Sequence, residues 1–315
     1  MTKITKNIVA LAGGVGGSKL AYGLAQIVAP EHLTIIVNTG DDFEHLGLYI
    51  APDLDTVMYT LAGVNNPATG WGVKDESWNM MAAMARYAGP TWFQLGDRDL
   101  ATHLLRTKWL SDNYTYNWVT KELCRRLGVR CAVLPMTEEP VRTMVQTEEG
   151  ELAFQEYFVK RKCEPVVTAL RYAGAEAAQP SREVVNALRQ SDAIILCPSN
   201  PLLSIDPILA LPTMRRVMAA SRSPKIAVSP LVGGQALKGP AAKLMQELNM
   251  DVSATGVARH LHDVLTDFVI DHADASEEQA IKDLGLRTLV TGTIMTNNET
   301  KVQLAQEILE FIGVA

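Results

Sequence analysis

Seven short apolar runs recur along the chain of 315 residues, at Asn7–Ala12, Leu33–Asn38, Cys131–Leu134, Ala193–Cys197, Lys225–Ser229, Asp267–Ile270 and Thr288–Thr291. They are rich in β-branched and aliphatic residues and lack a polar alternate face, as strands buried on both sides of a parallel sheet do. Helical patterns fill much of the space between them, at Ser18–Val28, Leu54–Ala62, Lys74–Ala88, Leu100–Leu110, Trp118–Leu127, Arg182–Gln190, Pro240–Leu248 and Lys301–Ile312. This alternation predicts an α/β fold, a doubly wound, mainly parallel, Rossmann-like sheet with helices on both faces. Residues 141–172 break the rhythm. There the runs VRTMVQT, ELAFQEYFVK and PVVTALRY alternate polar and apolar residues, and Glu149-Gly150 joins the first two. That pattern predicts a small antiparallel β insertion inside a single domain spanning residues 1–315.

Composition removes several classes of function. A net charge of −6, with no basic stripe interleaved with aromatics, argues against a nucleic-acid partner. An anionic substrate would therefore need local cationic groups or metal ions. Cys124, Cys131, Cys163 and Cys197 form no CxxC pair, which argues against zinc and fits a reducing compartment. The N-terminal apolar run breaks at Gly13-Gly14, short of the roughly 7–15 residues of a signal-peptide core. No stretch reaches the ~20 apolar residues of a membrane helix. The expectation is a soluble, cytoplasmic protein with no membrane partner.

Six loops carry the candidate chemistry. Gly13-Gly14-Val15-Gly16-Gly17-Ser18-Lys19 joins the first strand to the first helix. Glycines admit close backbone approach, and a helix N-terminus presents free N–H groups to an anion. The loop satisfies neither GxxxxGK[ST] nor GxGxxG, so it indicates phosphate, or a tight turn, and no more. Asn38-Thr39-Gly40-Asp41-Asp42 ends the second strand, and Pro52-Asp53-Leu54-Asp55-Thr56 follows. Carboxylates at adjacent strand ends are a recurrent way to hold Mg²⁺ against phosphates. Asp53 reads as a helix N-cap, whereas Asp55 is open to a metal or substrate role. In Leu95-Gly96-Asp97-Arg98-Asp99-Leu100-Ala101-Thr102-His103, the acids read as a cap and an ion pair. Arg98 between them suits a bidentate grip on an anion, and His103 is a structural hydrogen-bonder or a general base. Pro198-Ser199-Asn200-Pro201 offers hydrogen bonds for a base or ribose, and Pro230-Leu231-Val232-Gly233-Gly234 leads to Lys238-Gly239-Pro240. Together these loops are expected to converge on the crevice where open α/β sheets bind ligands.

With these motifs in view, the sequence resembles the 2-phospho-L-lactate transferase family of coenzyme F420 biosynthesis. The resemblance is carried by GGVGGSKL, NTGDD, PDLDTVMYTLAG, LGDRDLATH, FQEYFV, CPSNP and SPLVGGQALKGPA, in that order through nearly the whole chain. It implies transfer of a phospho-three-carbon acid from a guanosine-diphosphate-linked donor to the terminal ribityl hydroxyl of the deazaflavin Fo, releasing GMP and needing Mg²⁺. It also implies that Asp55 and Arg98 contact the deazaflavin and that Asp41 and Asp42 partner the metal. On this basis Mg²⁺ is expected on Asp41, Asp42 and Asp55, with Asp55 also orienting the hydroxyl or taking its proton. Gly13, Gly14, Gly16, Gly17, Lys19, Asn38, Ser199 and Asn200 are expected to grip the nucleotide. A homodimer is the implied assembly. The donor acid, whether phospholactate, phosphoenolpyruvate or phosphoglycerate, is not assigned by these motifs.

Two other readings compete. A nicotinamide dehydrogenase fails on the glycine pattern and on Asn38, where a ribose-binding acid belongs. A non-catalytic nucleotide-sugar-binding regulator of the same superfamily would bind no Fo and release no GMP.

Overall fold

A computed structural model describes residues 3–236 and 239–315. Seven strands form one parallel sheet: β1 (Ile8–Ala12), β2 (Leu33–Val37), β3 (Ala132–Pro135), β4 (Ala193–Leu196), β5 (Lys225–Val228), β6 (Asp267–Asp271) and β7 (Arg287–Thr291). Their spatial order is β7-β6-β5-β4-β1-β2-β3. The chain winds outward from β1 to β3, returns to β4 beside β1, and winds outward the other way. The reversal falls between the carboxyl ends of β1 and β4, the place where doubly wound sheets receive ligands.

Both faces of the sheet are apolar. Val9 and Leu11 point into one core with Ile36, Ile194 and Phe268, while Ile8, Ala10 and Ala12 point into the other with Ile35, Ile195 and Val269. Helices α1 (Gly14–Ile27), α2 (Pro52–Ala62) and the C-terminal helix Asn298–Phe311 cover the second face. The other face is covered by Arg182–Gln190, Pro212–Ala220 and Ala254–Leu261, together with the expected insertion. Among the described residues, no helix is long and apolar enough to cross a membrane.

The insertion is a three-stranded antiparallel sheet with Arg142–Thr147 between Gly150–Ala153 and Val167–Ala173. Its middle run does not stay extended as the alternation suggests: the strand stops at Ala153 and Glu156–Lys160 winds into a π-helical turn. Phe154, Tyr157 and Phe158 stand at i, i+3 and i+4, so a helical turn stacks the two phenylalanine rings and buries Tyr157. The helix expected at Lys74–Ala88 shrinks to α3 (Asn79–Arg86).

Helix α1 begins four residues before its expected start, with the glycines inside its first turn. Gly14 has φ +57°, a left-handed conformation that glycine adopts without strain. An added Cβ on Gly16 would stand 2.0 Å from the Pro198 carbonyl oxygen. Close packing of α1 on the loop after β4 thus accounts for a glycine there without any ligand. Gly16→Ala is expected to destabilise the chain by about 1–3 kcal/mol through overpacking. Gly292→Ala, where an added Cβ meets nothing within 4 Å, should change stability by no more than about 0.5 kcal/mol. Denaturant unfolding of the two variants checks the contrast; equal effects would remove the packing argument.

Candidate active site

The first wall of the crevice is built by α1 and the loop after β4. Ser199 Oγ donates to the Gly13 carbonyl at 2.9 Å and accepts from Gly13 N–H at 3.3 Å. Asn200 Oδ1 accepts from the N–H groups of Leu202 and Leu203, which leaves its buried Nδ2 without a partner among the described residues. Asp53 was expected to cap α2, but Ala51 is the N-cap and Pro52 occupies the first turn. The Asp53 carboxylate instead crosses the crevice, accepting from Gly14 N–H at 2.7 Å and from Asn38 Nδ2 at 2.9 Å. An internal acid thus sits where the helix N-terminus would receive a phosphate.

Two nucleotide-binding expectations meet competing contacts here. Asn38 is fully buried; its Nδ2 also donates to the Leu203 carbonyl, and its Oδ1 accepts from Gly40 N–H. It crosslinks β2, α2 and the loop after β4, with no face left for a nucleotide. Lys19 reaches the Met295 carbonyl at 2.8 Å. Lys238 lies outside the described residues.

Asp41 and Asp42 are adjacent in sequence and diverge in space. Asp42 Oδ2 accepts from Tyr116 Oη at 2.6 Å and from Tyr49 Oη at 3.1 Å. Burial pushes its carboxyl up to about 7, against the relief given by these hydroxyls and by the nearby Arg142 and Arg106. Asp41 is raised well above the usual carboxylate range by burial, then by the charges of Asp53 and Asp42. Burial likewise lifts Asp53 to about 6. Asp41 Oδ1 and Asp42 Oδ1 are buried without a hydrogen-bond partner among the described residues. Asp41 thus feels the charges of both Asp53 and Asp42 at a desolvated edge of the sheet, which favours added positive charge.

Asp55 has a different environment. Arg106 in α4 (Asp97–Ser111) donates from Nη1 to Asp55 Oδ2 at 3.0 Å and from Nη2 to Asp55 Oδ1, a bidentate pair with both residues buried. His103 Nδ1 lies 3.7 Å from Asp55 and 3.3 Å from Arg106 Nη1, and its Nε2 lies 3.3 Å from Asp99 Oδ1. Tyr59 Oη donates to Asp99 at 2.7 Å. The set Asp41, Asp42 and Asp55 therefore does not close as one metal shell. Among the described residues, the acids and histidine gathered within 4.8 Å are Asp55, Asp99 and His103. Consecutive loop residues face apart, and Arg106 already neutralises Asp55.

The GDRD segment differs from its sequence reading too. Gly96, not Asp97, is the N-cap of α4. Asp97 caps α3 instead, accepting from Ser77 Oγ, Asn79 N–H and Met80 N–H, and these bonds hold its carboxyl below the usual range. In return Glu76 accepts from the N–H groups of Arg98 and Asp99 at the head of α4. Arg98 is exposed, with Nη1 3.2 Å from the Lys74 carbonyl. Sequence reasoning missed Asp53, Tyr49, Tyr59, Arg106 and Tyr116. One signal existed: Asp99, His103 and Arg106 stand at i, i+4 and i+7, a polar stripe on one helix face.

Comparisons with known proteins agree over almost the whole chain. The family model described as 2-phospho-L-lactate transferase CofD matches residues 8–303. A phosphoenolpyruvate transferase of Streptomyces griseus is 40% identical over 309 residues, covering 96% of this chain and 97% of that protein. A 2-phospho-L-lactate transferase of Methanosarcina mazei is 34% identical over 303 residues, covering 96% and 99%. Among solved structures, a UPF0052-family protein of Bacillus halodurans superposes with a TM-score of 0.66 at 17% identity, over 98% of this chain and 99% of that one, a likeness of fold. On the strength of the family match and of these relatives, the chain belongs to the 2-phospho-L-lactate transferase CofD family of transferases.

Proposed function

We propose that this chain moves a phospho-three-carbon acid from a guanosine-diphosphate-linked donor to the terminal ribityl hydroxyl of Fo, releasing GMP, as a Mg²⁺-dependent step of coenzyme F420 biosynthesis. The observation that carries this reading is the cluster of Asp41, Asp42 and Asp53 at the sheet's topological switch, three buried carboxyls raised by burial with two oxygens unpartnered. A buried carboxylate oxygen without a partner, as on Asp41 and Asp42, suits a hard cation that also takes phosphate oxygens, as Mg²⁺ does. Asp41 and Asp42 face apart and each offers one unpartnered oxygen, so the ion would sit on one of them with phosphate oxygens and water completing its shell, and it would supply neutralisation of the diphosphate charge.

In the proposed reaction, the ribityl oxygen bonds to the phosphorus bearing the three-carbon acid, and the bond from that phosphorus to the GMP oxygen breaks. GMP departs with the electron pair, and the hydroxyl proton is released. Transition states of this kind are loose, so positioning and charge matter more than a strong base. Asp55, closed on both oxygens by Arg106, is suited to orient the acceptor rather than to take its proton. Arg98, exposed at the head of α4, is available to grip the acceptor, and Ser199 and Asn200 with the Gly13–Gly17 loop shape the donor side. The relatives at 38–40% identity are named phosphoenolpyruvate transferases, and those at 34–36% are named 2-phospho-L-lactate transferases. The phosphoenolpyruvate-type donor is therefore our first choice.

Incubation with Fo, Mg²⁺ and each guanylylated acid, read by mass, should yield GMP and the Fo phosphodiester, fastest from the phosphoenolpyruvate form. Failure with every donor would sink the proposal. Arg98→Lys keeps charge but loses the planar fork, so it should raise the KM for Fo; an unchanged KM removes Arg98 from the acceptor site.

Asp42→Asn should lower turnover roughly 100-fold or more by removing a charge needed around the transferring group. The same variant tests the electrostatics. Burial pushes the Asp42 carboxyl up to about 7 in the folded chain, above the ordinary carboxylate range of the unfolded chain, so the folded state binds the proton more tightly. Without added metal, stability should fall as pH rises from about 4 through about 7 and then level off. Asp42→Asn should gain on the parent between pH 5 and pH 8 in thermal melts, and Mg²⁺ should stabilise the parent more at pH 8. Parallel pH profiles for the two proteins would show that Asp42 carries no such strain.

A further inference from the structure

Arg106 is nearly inaccessible, and the function as proposed leaves its role open. Its guanidinium closes on both oxygens of Asp55 and lies 3.3 Å from His103 Nδ1, while its charge also favours ionised Asp42 and Asp99. One cation thus serves acids from three separate motifs. Asp55, Asp99 and His103 have the donor types and the spacing of a divalent-metal shell, with ligand atoms all within 4.8 Å. Arg106 faces Asp55 and His103 directly and reaches Asp99 through its charge, the neutralising part a metal ion would play, and its planar fork fixes the plane of the Asp55 carboxylate as a freely exchanging ion would not.

We propose that Arg106 is a built-in cation in a latent metal site formed by Asp55, Asp99 and His103, and that it acts on transfer as a positioning residue by holding Asp55 toward the acceptor. The positioning half rests on the function proposed above; the latent-site half does not. Buried charges of this kind are costly to desolvate, and removing one partner leaves the other uncompensated. Loss of Arg106 should therefore make the trio recruit a metal.

The test uses the full chain with Arg106→Ala and Arg106→Lys. Co²⁺ titrated into folded Arg106→Ala should give a visible absorption band absent from the parent and abolished by adding His103→Ala. In steady-state transfer, Arg106→Lys should raise the KM for Fo roughly 10- to 100-fold while leaving the donor KM unchanged, and guanidinium ions should partly restore Arg106→Ala. No Co²⁺ band beyond the parent's would overturn the latent site. A parental Fo KM in Arg106→Lys, or donor and Fo KM values rising together, would overturn the positioning role. If Arg106→Ala does not fold, Arg106→Gln, which removes the charge but keeps much of the side chain's length, replaces it under the same two criteria. A parent protein inactive toward Fo would defeat the proposed function while leaving the Co²⁺ result to decide the latent site.

Discussion

The Asp55–Arg106 pair is the constraint on which the arrangement of the site depends. Residues 38–56 bring Asp41, Asp42, Asp53 and Asp55 to one edge of the sheet, and α4 adds Asp99. Carboxylates so placed repel one another, and burial worsens the repulsion because water no longer screens it. Arg106 offsets part of this from inside, facing Asp55 directly and Asp42 and Asp99 through its field. Tyr49, Tyr59 and Tyr116 donate hydroxyls to the same acids. What these groups leave without a partner among the described residues are Asp41 Oδ1 and Asp42 Oδ1. Asp55 and Asp99 are thus satisfied within the molecule, whereas Asp41 and Asp42 each keep one oxygen in want of a partner.

The seven strands were legible because burial on both faces leaves a continuous apolar run, which position along the chain hardly disguises. The run Leu33–Asn38, for example, holds β2 at Leu33–Val37. The start of α1 was misread because glycine's helix propensity is poor, whereas the approach of Pro198 to Gly16 demands a residue without a side chain. The hairpin of Phe43–His45 with Leu48–Ile50 went unseen because three-residue strands are too short to show alternation. Residues 74–78 lie outside the helix expected from Lys74 because that segment is held by irregular turns, with Asp97 capping only from Asn79 onward.

The acids of the site were legible as residue types at strand ends, but their pairing was not. Asp53 looked like a cap and is a crosslink to Gly14 and Asn38; Asp97 looked like its own helix's cap and serves α3. Asn38 looked available and is spent inside the protein. Each of these depends on which loop faces which across the sheet edge, information that sequence distance does not carry. Arg106 is the extreme case. It stands fifty-one positions from Asp55, and only the inward rotation of α4 gives the stripe of Asp99, His103 and Arg106 its meaning.

The central claim is that this acid-rich crevice passes a phosphoryl group to a hydroxyl and not to water. Phosphorus NMR of one mixture, containing the enzyme, Fo and the phosphoenolpyruvate-type donor, follows that directly. With Mg²⁺ present, the paired diphosphate resonances should give way to a phosphodiester and the GMP monoester in equal amounts, and chelation of the metal should stop both. Two monoester signals without a phosphodiester, or an unchanged diphosphate, would contradict the account.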